Sequence, residues 1–177
     1  MRIEGFRSLN QDIKTIINKS EHVKKAKKEN DGKISDKEKR ELTAEEKAAL
    51  VAGTDFMFTN AVQRLGIPSV RTSDGPHGLR VQAAGGDNGV TGSLPATAFP
   101  TAATVAASWN PNNSRKIGEA IGREAHRYGV HVVLGPGVNI KRNPTAGRNF
   151  EYFSEDPLLA GKMAAQEVLG IQSQGVG

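Results

Sequence analysis

The chain has 177 residues, of which 37% are hydrophobic and 24% are charged, and its formal net charge is +5 at pH 7. This composition is ordinary for a globular domain and excludes a chain that is disordered throughout. The sequence contains no cysteine, which excludes disulfide bonds and thiolate metal sites.

The apolar runs of the sequence are too short to predict a membrane partner. A spanning helix requires roughly 18 apolar residues, and the amino terminus, MRIEGFRSLNQ, lacks the apolar core of a signal peptide. We therefore expect no membrane contact and, by default, a cytoplasmic location.

Residues 1–41 form a Lys-rich segment that we expect to be an extension outside the main domain, which covers residues 42–177. The basic residues between Lys14 and Arg40 alternate with acidic ones, and no aromatic residue is present there to stack on bases. A solvated helical face or a flexible lead-in is the favoured interpretation. Nucleic-acid binding is the minor alternative, so we expect no nucleic-acid partner.

Within this segment, the residues KKENDGKISDKE from Lys27 to Glu38 have the outline of an EF-hand calcium loop. The first position of such a loop is normally Asp, whereas here it is Lys27, whose positive charge repels calcium. A turn at Asp31 and Gly32, followed by a helix that Ser35 caps, is the favoured interpretation.

The main domain opens with a predicted helix and a predicted strand. Thr43 and Glu46 form a capping box in front of the helix AEEKAALVA, which closes at Gly53. Residues 66–74 (GIPSVRTSD) predict a strand, and the segment SDGPHGLR lies at its carboxyl end. Asp74 in that segment is either a turn residue that hydrogen-bonds its own backbone or a functional carboxylate.

A second predicted strand and a capped helix follow. A Gly-rich loop over residues 81–98 leads to FPTAATVAASWNP, which predicts a strand of small residues. Asn110 and Pro111 then open a helix that ends at about Gly129, and its predicted apolar face consists of Ile117, Ala120, Ile121 and Ala125.

The last predicted elements are an interior strand over Val130 to Leu134 and a helix opened by Asp156 and Pro157. The predicted apolar face of this helix consists of Leu158, Leu159, Met163, Val168, Leu169 and Ile171. The predicted order is strand, loop, strand, helix, strand, loop, helix, so the predicted fold class is α/β, built from β/α units.

The histidines predict neither a metal nor a cofactor. His22, His77, His126 and His131 do not have the spacing of metal ligands. His126 lies on a predicted helix and His131 in a predicted strand, so both are expected to be packing residues.

Four polar residues gather instead near the predicted strand ends, together with Leu134 at the last position of its strand. We call this set the strand-end cluster: Asp74, Arg80, Leu134, Arg148 and Glu151. Ligands of β/α folds bind at the carboxyl ends of the strands. A carboxylate that accepts two hydroxyl groups, together with guanidinium groups that donate to others, suits a ligand rich in hydroxyls. The equally supported alternative is an Arg–carboxylate lattice that holds loops in place.

Three motifs in order resemble the N-terminal domain of glycoside hydrolase family 3, in particular its β-glucosidase branch. They are SDGPHGLR, the segment from FP to SWNP, and GPGVNIKRNPTAGRNFEYFSEDPLLAG. The resemblance covers roughly residues 42–177. It implies a (β/α)₈ barrel of the TIM type and a retaining glycosidase that releases terminal non-reducing β-D-glucosyl residues without a metal or organic cofactor.

The resemblance also implies roles for the strand-end cluster. Asp74 matches the carboxylate that grips the O4 and O6 hydroxyls of the sugar, and Arg80 and Arg148 match arginines of the same subsite. Leu134 matches a position on the floor of that subsite. Glu151 is assigned to orienting the arginines without contacting the sugar itself.

The family's catalytic residues have no match in this chain. A retaining glycosidase needs a nucleophile and an acid/base about 5 Å apart, and in the family both follow later motifs, downstream of a Lys-His pair. A barrel of this type takes about 250 residues and eight strands. We therefore expect a partial barrel that is marginally folded and inactive in isolation.

Two interpretations of different classes remain at this stage. The chain is either the amino-terminal part of a β-glucosidase that binds a β-glucoside or oligosaccharide, or a non-catalytic carbohydrate-binding remnant or interaction protein. The identity of the sugar is open, because glucosides and galactosides differ at O4 and xylosides lack the C6 group. The sequence makes no prediction about the oligomeric state.

Overall fold

The structure, a computed structural model, describes residues 42–83 and 92–177. The predicted Lys-rich extension, the calcium-loop alternative and His22 lie outside the described residues, as do residues 84–91 of the predicted Gly-rich loop. Contacts divide the chain into one unit that ends at Arg71 and a second unit over Thr72–Val176. Each unit is described by itself.

The first unit contains the helix α1, Ala44–Ala52, whose predicted caps are confirmed. The Thr43 hydroxyl accepts a hydrogen bond from the Glu46 amide at 3.2 Å, and the Glu46 carboxylate accepts one from the Thr43 amide at 2.9 Å. The helix ends at Gly53, which has a φ of +76°. The capping box therefore forms as the sequence predicts.

The strand predicted over residues 66–74 is wrong in its first six residues. A 3₁₀ helix, Gln63–Leu65, leads to Gly66 in the left-handed region, and regular pairing begins only at Thr72. Between these points the chain pairs locally: the Ser69 hydroxyl donates to the Thr59 carbonyl at 2.6 Å. Pro68 has no N–H to donate to a ladder, which helps to explain why this stretch is not a strand.

The second unit contains a parallel pair of short strands, β1 (Thr72–Asp74) and β2 (Val132–Leu134). In their register, Ser73 lies opposite Val133 and Asp74 lies opposite Leu134. Ser73 and Val133 are buried, as expected for the interior of a parallel sheet. The predicted α/β class is confirmed by this pair and the helices around it.

The prediction of a strand in FPTAATVAASWNP is wrong, because this segment contains the helix α2, Ala102–Ala107. The Thr101 side chain caps the helix by accepting a hydrogen bond from the Thr104 amide. Ala102, Val105 and Ala106 are buried on one side, which is the spacing of a helix face. Alanine has the highest helix propensity, and it outweighs the β-branched residues here.

Two long helices follow, α3 (Pro111–Arg127) and α4 (Pro157–Ser173), and their predicted starts are confirmed. Asn110 caps α3 by accepting a hydrogen bond from the Asn112 amide at 3.1 Å, and Asp156 caps α4 in the same way at the Leu158 amide, at 2.8 Å. Gly129, the predicted end of α3, lies two residues beyond Arg127 with a φ of +66°.

The apolar face predicted for α4 is partly wrong. Leu158 is 68% exposed and Leu169 is 46% exposed. Half of the buried residues of α4 are small, in the set Ala160, Met163, Ala164, Glu167, Gly170 and Ile171. Small residues let α3 and α4 approach closely, so the larger leucines lie away from the contact. The packing role predicted for His126 on α3 is also wrong, because His126 is exposed.

Two hydrophobic clusters form the core of the second unit. One joins β2 and α3 and includes Leu79, Val81, Ile121, Ala125, Val130, Val133, Ile171 and Val176. The other joins α2 and α4 and includes Ala102, Val105, Ala106, Phe153, Ala160, Met163 and Ala164. Among residues 42–83 and 92–177, no helix has the length and apolarity that crossing a membrane would require.

The contact between α3 and α4 encloses a carboxyl group. Glu167 on α4 is 3% exposed, and its only hydrogen bond in the described structure comes from the Ser114 hydroxyl of α3, at 3.4 Å. Burial raises the pKa of Glu167 to about 7, and the Ser114 hydrogen bond opposes this rise. The group is therefore protonated in much of the acidic range.

We predict that Glu167 makes the stability of the chain depend on pH. Its pKa is about 7 in the folded chain against an ordinary value of 4.5. The raised pKa stabilises the folded chain fully at a pH below the ordinary value of 4.5. This stabilisation, about 3 kcal/mol in total, is lost as the pH rises through the folded pKa of about 7. Glu167→Gln should remove this slope in urea denaturation followed from acidic to alkaline pH, whereas Glu155→Gln at an exposed position should retain it. An unchanged slope in Glu167→Gln would contradict the prediction.

We also predict that Gly118 is required for the close approach of α3 and α4. A Cβ at Gly118 would lie 2.2 Å from the Glu167 carbonyl oxygen, so Gly118→Ala should lower the free energy of unfolding by about 1–3 kcal/mol. The matched control is Gly161→Ala on α4, where a Cβ meets nothing within 4 Å. That variant should gain about 0.5–1 kcal/mol. Equal effects of the two variants in denaturation would refute the packing argument.

Candidate functional site

Asp74 and Leu134 are the last residues of β1 and β2, and they lie side by side at the edge of the core. The residues before them, Ser73 and Val133, are 1% and 5% exposed, whereas Leu134 is 49% exposed and Asp74 is also exposed. Because the strands are parallel and in register at these residues, both side chains belong to one edge of the sheet.

The turn after β1 is fixed by close backbone contacts. Gly75 has a φ of +139°, and a Cβ there would lie 2.1 Å from the Gly78 carbonyl oxygen. The Arg80 amide donates to the Asp74 carbonyl at 2.9 Å, which closes the turn and keeps the Arg80 backbone next to Asp74. The Arg80 side chain is exposed, so the structure leaves its guanidinium group at the surface.

The loop after β2 lies against both flanking segments through its glycines. A Cβ at Gly135 would lie 3.0 Å from the Pro76 Cα, and one at Gly137 would lie 2.8 Å from the Glu151 carbonyl oxygen. The intervening Gly135–Pro136 peptide is cis. Since neither glycine has space for a side chain, the turn after β1 and the backbone at Glu151 both lie close to this loop.

Arg148 directly precedes a 3₁₀ helix, Asn149–Glu151, and Glu151 is its last residue. Glu151 is only 8% exposed, and its carboxylate accepts a hydrogen bond from the Arg148 Nε. The Asn149 side chain anchors this turn by donating to the Asn143 carbonyl at 2.8 Å. The side chain of Arg148 is 75% exposed, so one edge of its guanidinium group is held by Glu151 while much of its surface faces solvent.

The pKa of Arg148 reflects mainly its pairing with Glu151. The hydrogen bond that Arg148 donates to Glu151 is the main cause that raises the pKa of Arg148, followed by the charge of Glu151. The negative charge of Asp74 also raises this pKa, but it is the last and smallest of the causes. The backbone contacts of Gly135 with Pro76 and of Gly137 with Glu151 are the stronger evidence that the segments carrying Asp74 and Arg148 lie near each other.

The structure thus brings together most of the strand-end cluster. Asp74 and Leu134 are neighbours in the sheet, Arg148 is paired with Glu151, and Asp74 acts on Arg148. Arg80 is joined to the group through its backbone, whereas the structure shows no side-chain contact that aims its guanidinium at Asp74. In the described part of the chain, no group of three or more His, Asp or Glu side chains could hold a metal ion.

Sequence reasoning missed the role of one residue in this region, His77. Its ring lies 6.3 Å from that of Phe150, centroid to centroid, at an interplanar angle of 53°. Burial lowers the pKa of His77, while the charge of Glu151 acts in the opposite direction. The available signal was its place in SDGPHGLR, three residues after Asp74, although spacing alone did not distinguish it from an ordinary turn residue.

Chemically, the cluster offers complementary groups for hydroxyls. The Asp74 carboxylate accepts hydrogen bonds only, and the Arg148 guanidinium donates only, in a planar geometry that Glu151 orients. A polyhydroxylated ring presents hydroxyl groups that can both donate and accept. The Glu151 carboxylate is buried and bonded to Arg148, so it is available for orientation rather than for attack on a substrate.

Comparison with known proteins gives the same family throughout. The sequence profile of the glycosyl hydrolase family 3 N-terminal domain matches residues 18–177, beginning inside the Lys-rich segment. Thermostable beta-glucosidase B of Acetivibrio thermocellus is 51% identical over 139 residues, which are 78% of this chain and 18% of that protein. An exo-alpha-(1->6)-L-arabinopyranosidase of Bifidobacterium longum is 51% identical over 140 residues, with the same two coverages.

A solved structure confirms the likeness in three dimensions. Beta-glucosidase 3B from Thermotoga neapolitana, in complex with alpha-D-glucose, is similar with a TM-score of 0.70 and 41% sequence identity. The match covers 80% of this chain and 22% of that chain. The chain therefore spans about one fifth of the length of the relatives that it matches. The resemblance in the three motifs is confirmed, and the chain belongs to glycosyl hydrolase family 3, through the N-terminal domain of that family.

Proposed function

We propose that this chain supplies part of the sugar-binding subsite of a β-glucosidase-like retaining glycosidase. The observation that supports the proposal most directly is geometric: Asp74 lies opposite Leu134 at the carboxyl ends of two parallel strands, and the loop after β2 contacts both the turn that follows Asp74 and the backbone of Glu151, the partner of Arg148. Asp74 accepts hydrogen bonds from two hydroxyls of the terminal sugar, and Arg148 donates to a third. Leu134 lies under the ring, and Arg80 extends the donor side.

The hydrolysis itself requires residues beyond this site. In a double displacement, one carboxylate attacks the anomeric carbon and a second carboxyl group protonates the leaving oxygen. Asp74 is assigned to the hydroxyls, and Glu151 is bonded to Arg148, so neither is free for these roles. We propose that the nucleophile and the acid/base lie outside these 177 residues, and that residues 42–177 form the first part of a (β/α)₈ barrel.

The sugar specificity of the complete site is left open by the relatives. Of the two relatives named above, one is a beta-glucosidase and the other is an arabinopyranosidase, at the same identity to this chain. An arabinopyranoside lacks the hydroxymethyl group of a glucoside, so the similarity alone does not decide whether the substrate carries a C6 group. A β-D-glucoside is the substrate proposed here because the solved relative binds glucose and because the strand-end cluster offers a partner for O6.

We predict that the isolated chain does not hydrolyse p-nitrophenyl β-D-glucopyranoside. The reason is that the described site contains no free pair of carboxyl groups about 5 Å apart. Release of nitrophenol by the purified 177-residue chain would be measured by absorbance. Hydrolysis that disappears in Asp74→Ala would contradict the proposal that the nucleophile and the acid/base lie outside these 177 residues.

A chimera tests the sugar-binding role of Asp74. When this chain replaces the matching segment of the Acetivibrio thermocellus enzyme, the product should hydrolyse the β-glucoside. Asp74→Ala in the chimera should lower kcat/KM by about 10²–10⁴-fold, because two charge-assisted hydrogen bonds are lost. Arg148→Lys should cause a smaller loss, since lysine keeps the charge but not the planar geometry.

The control for the chimera is Glu155→Ala, which removes an exposed carboxylate from the loop that contains Arg148 and should leave kcat/KM within about twofold. A folded and active chimera that tolerates Asp74→Ala would contradict the proposed role. Assays with nitrophenyl α-L-arabinopyranoside in parallel would show which sugar the combined site prefers.

A further inference from the structure

His77 lies in the turn after β1, and its ring faces the 3₁₀ helix Asn149–Glu151. It lies against the ring of Phe150, the residue that immediately precedes Glu151. Its Nε2 atom is buried and has no hydrogen-bond partner in the described structure. A buried polar atom without a partner costs stability, so packing of the ring must offset that cost.

The backbone of His77 is held on both sides. Gly78 has a φ of +133°, and a Cβ there would lie 2.2 Å from the Thr97 carbonyl oxygen. The His77 carbonyl accepts a hydrogen bond from the Phe99 amide at 2.8 Å. Because the backbone is fixed in this way, the direction of the imidazole toward Phe150 is a stable property of the turn.

The charge state of the ring matters for its neighbour. Burial lowers the pKa of His77, so the imidazole is neutral at neutral pH. A neutral imidazole does not compete with Arg148 as a cationic partner of Glu151.

We propose that His77 is a positioning residue for Arg148: its ring packs on Phe150, fixes the 3₁₀ helix Asn149–Glu151, and keeps the Glu151 carboxylate directed at the Arg148 guanidinium. The consequence for sugar binding rests on the function proposed above. The positioning itself does not, because it concerns only contacts within this chain.

The primary test is an NMR measurement on the 177-residue chain near neutral pH. The Nε–H signal of Arg148, assigned by its loss in Arg148→Lys, should be shifted and protected from exchange in the wild type. His77→Ala should move it to the position of a solvent-exposed arginine. His77→Phe retains an aromatic ring and should keep the signal, and His126→Ala, at an exposed histidine of α3, should leave it unchanged.

The possible results are decisive in both directions. An unchanged Arg148 signal in His77→Ala would overturn the proposal, and so would its loss in His77→Phe, because the ring would then not be the part that acts. If His77→Ala does not fold, Phe150→Leu takes its place: Phe150 is 54% exposed, and leucine removes the ring contact while keeping an apolar side chain.

The kinetic arm separates this inference from the proposed function. In the chimera, His77→Ala should lower kcat/KM by roughly 10- to 100-fold, as a misplaced binding group does, and His77→Phe should restore most of the loss. If the NMR signal shifts while kcat/KM stays unchanged, Arg148 is positioned by His77 but does not bind the sugar. That result would reject the sugar-binding role of Arg148 and leave the positioning role intact.

Discussion

Three residue pairs hold β1 against β2 in parallel register, and the last pair sets Asp74 opposite Leu134. Everything proposed for the site depends on this register. A slip of one residue would turn Asp74 toward the core and bring Ser73 to the edge, because side chains alternate between the two faces of a strand. The burial of Ser73 and Val133 opposes such a slip, so the core and the site are specified by the same pairing.

Glycines then determine how closely the loops can gather around that edge. Gly75 allows the turn after β1 to fold back on itself, while Gly135 and Gly137 let the loop after β2 contact Pro76 and the backbone of Glu151. These contacts hold the turn that follows Asp74 and the backbone of Glu151, the partner of Arg148, against one loop. A flexible arginine loses conformational entropy when it binds a ligand. The pairing with buried Glu151 already restricts the Arg148 side chain, so less entropy is lost on binding.

The sequence allowed some features of this arrangement to be predicted and not others. The helix starts at Thr43, Asn110 and Asp156 were predictable because a cap is a local signal of a few residues. The helix Ala102–Ala107 was not predicted, because its small residues give no clear hydrophobic period, although their high helix propensity decides the structure. The contact between His77 and Phe150 joins residues that are distant in the sequence, and no local pattern reports such a contact. The same is true of Glu167, whose burial follows from the packing of α3 on α4.

The chain belongs to glycosyl hydrolase family 3 through the N-terminal domain of that family. Its proposed contribution is an acceptor, Asp74, and an oriented donor, Arg148, at one sheet edge, while the catalytic carboxyl groups are proposed to lie elsewhere. The most direct test is a crystal structure, with glucose, of the chimera that carries this chain in the Acetivibrio thermocellus enzyme. The account predicts one glucose ring with two hydroxyls within hydrogen-bond distance of the Asp74 carboxylate and a third bonded to Arg148. Glucose bound elsewhere, with Asp74 and Arg148 in contact only with protein, would contradict it.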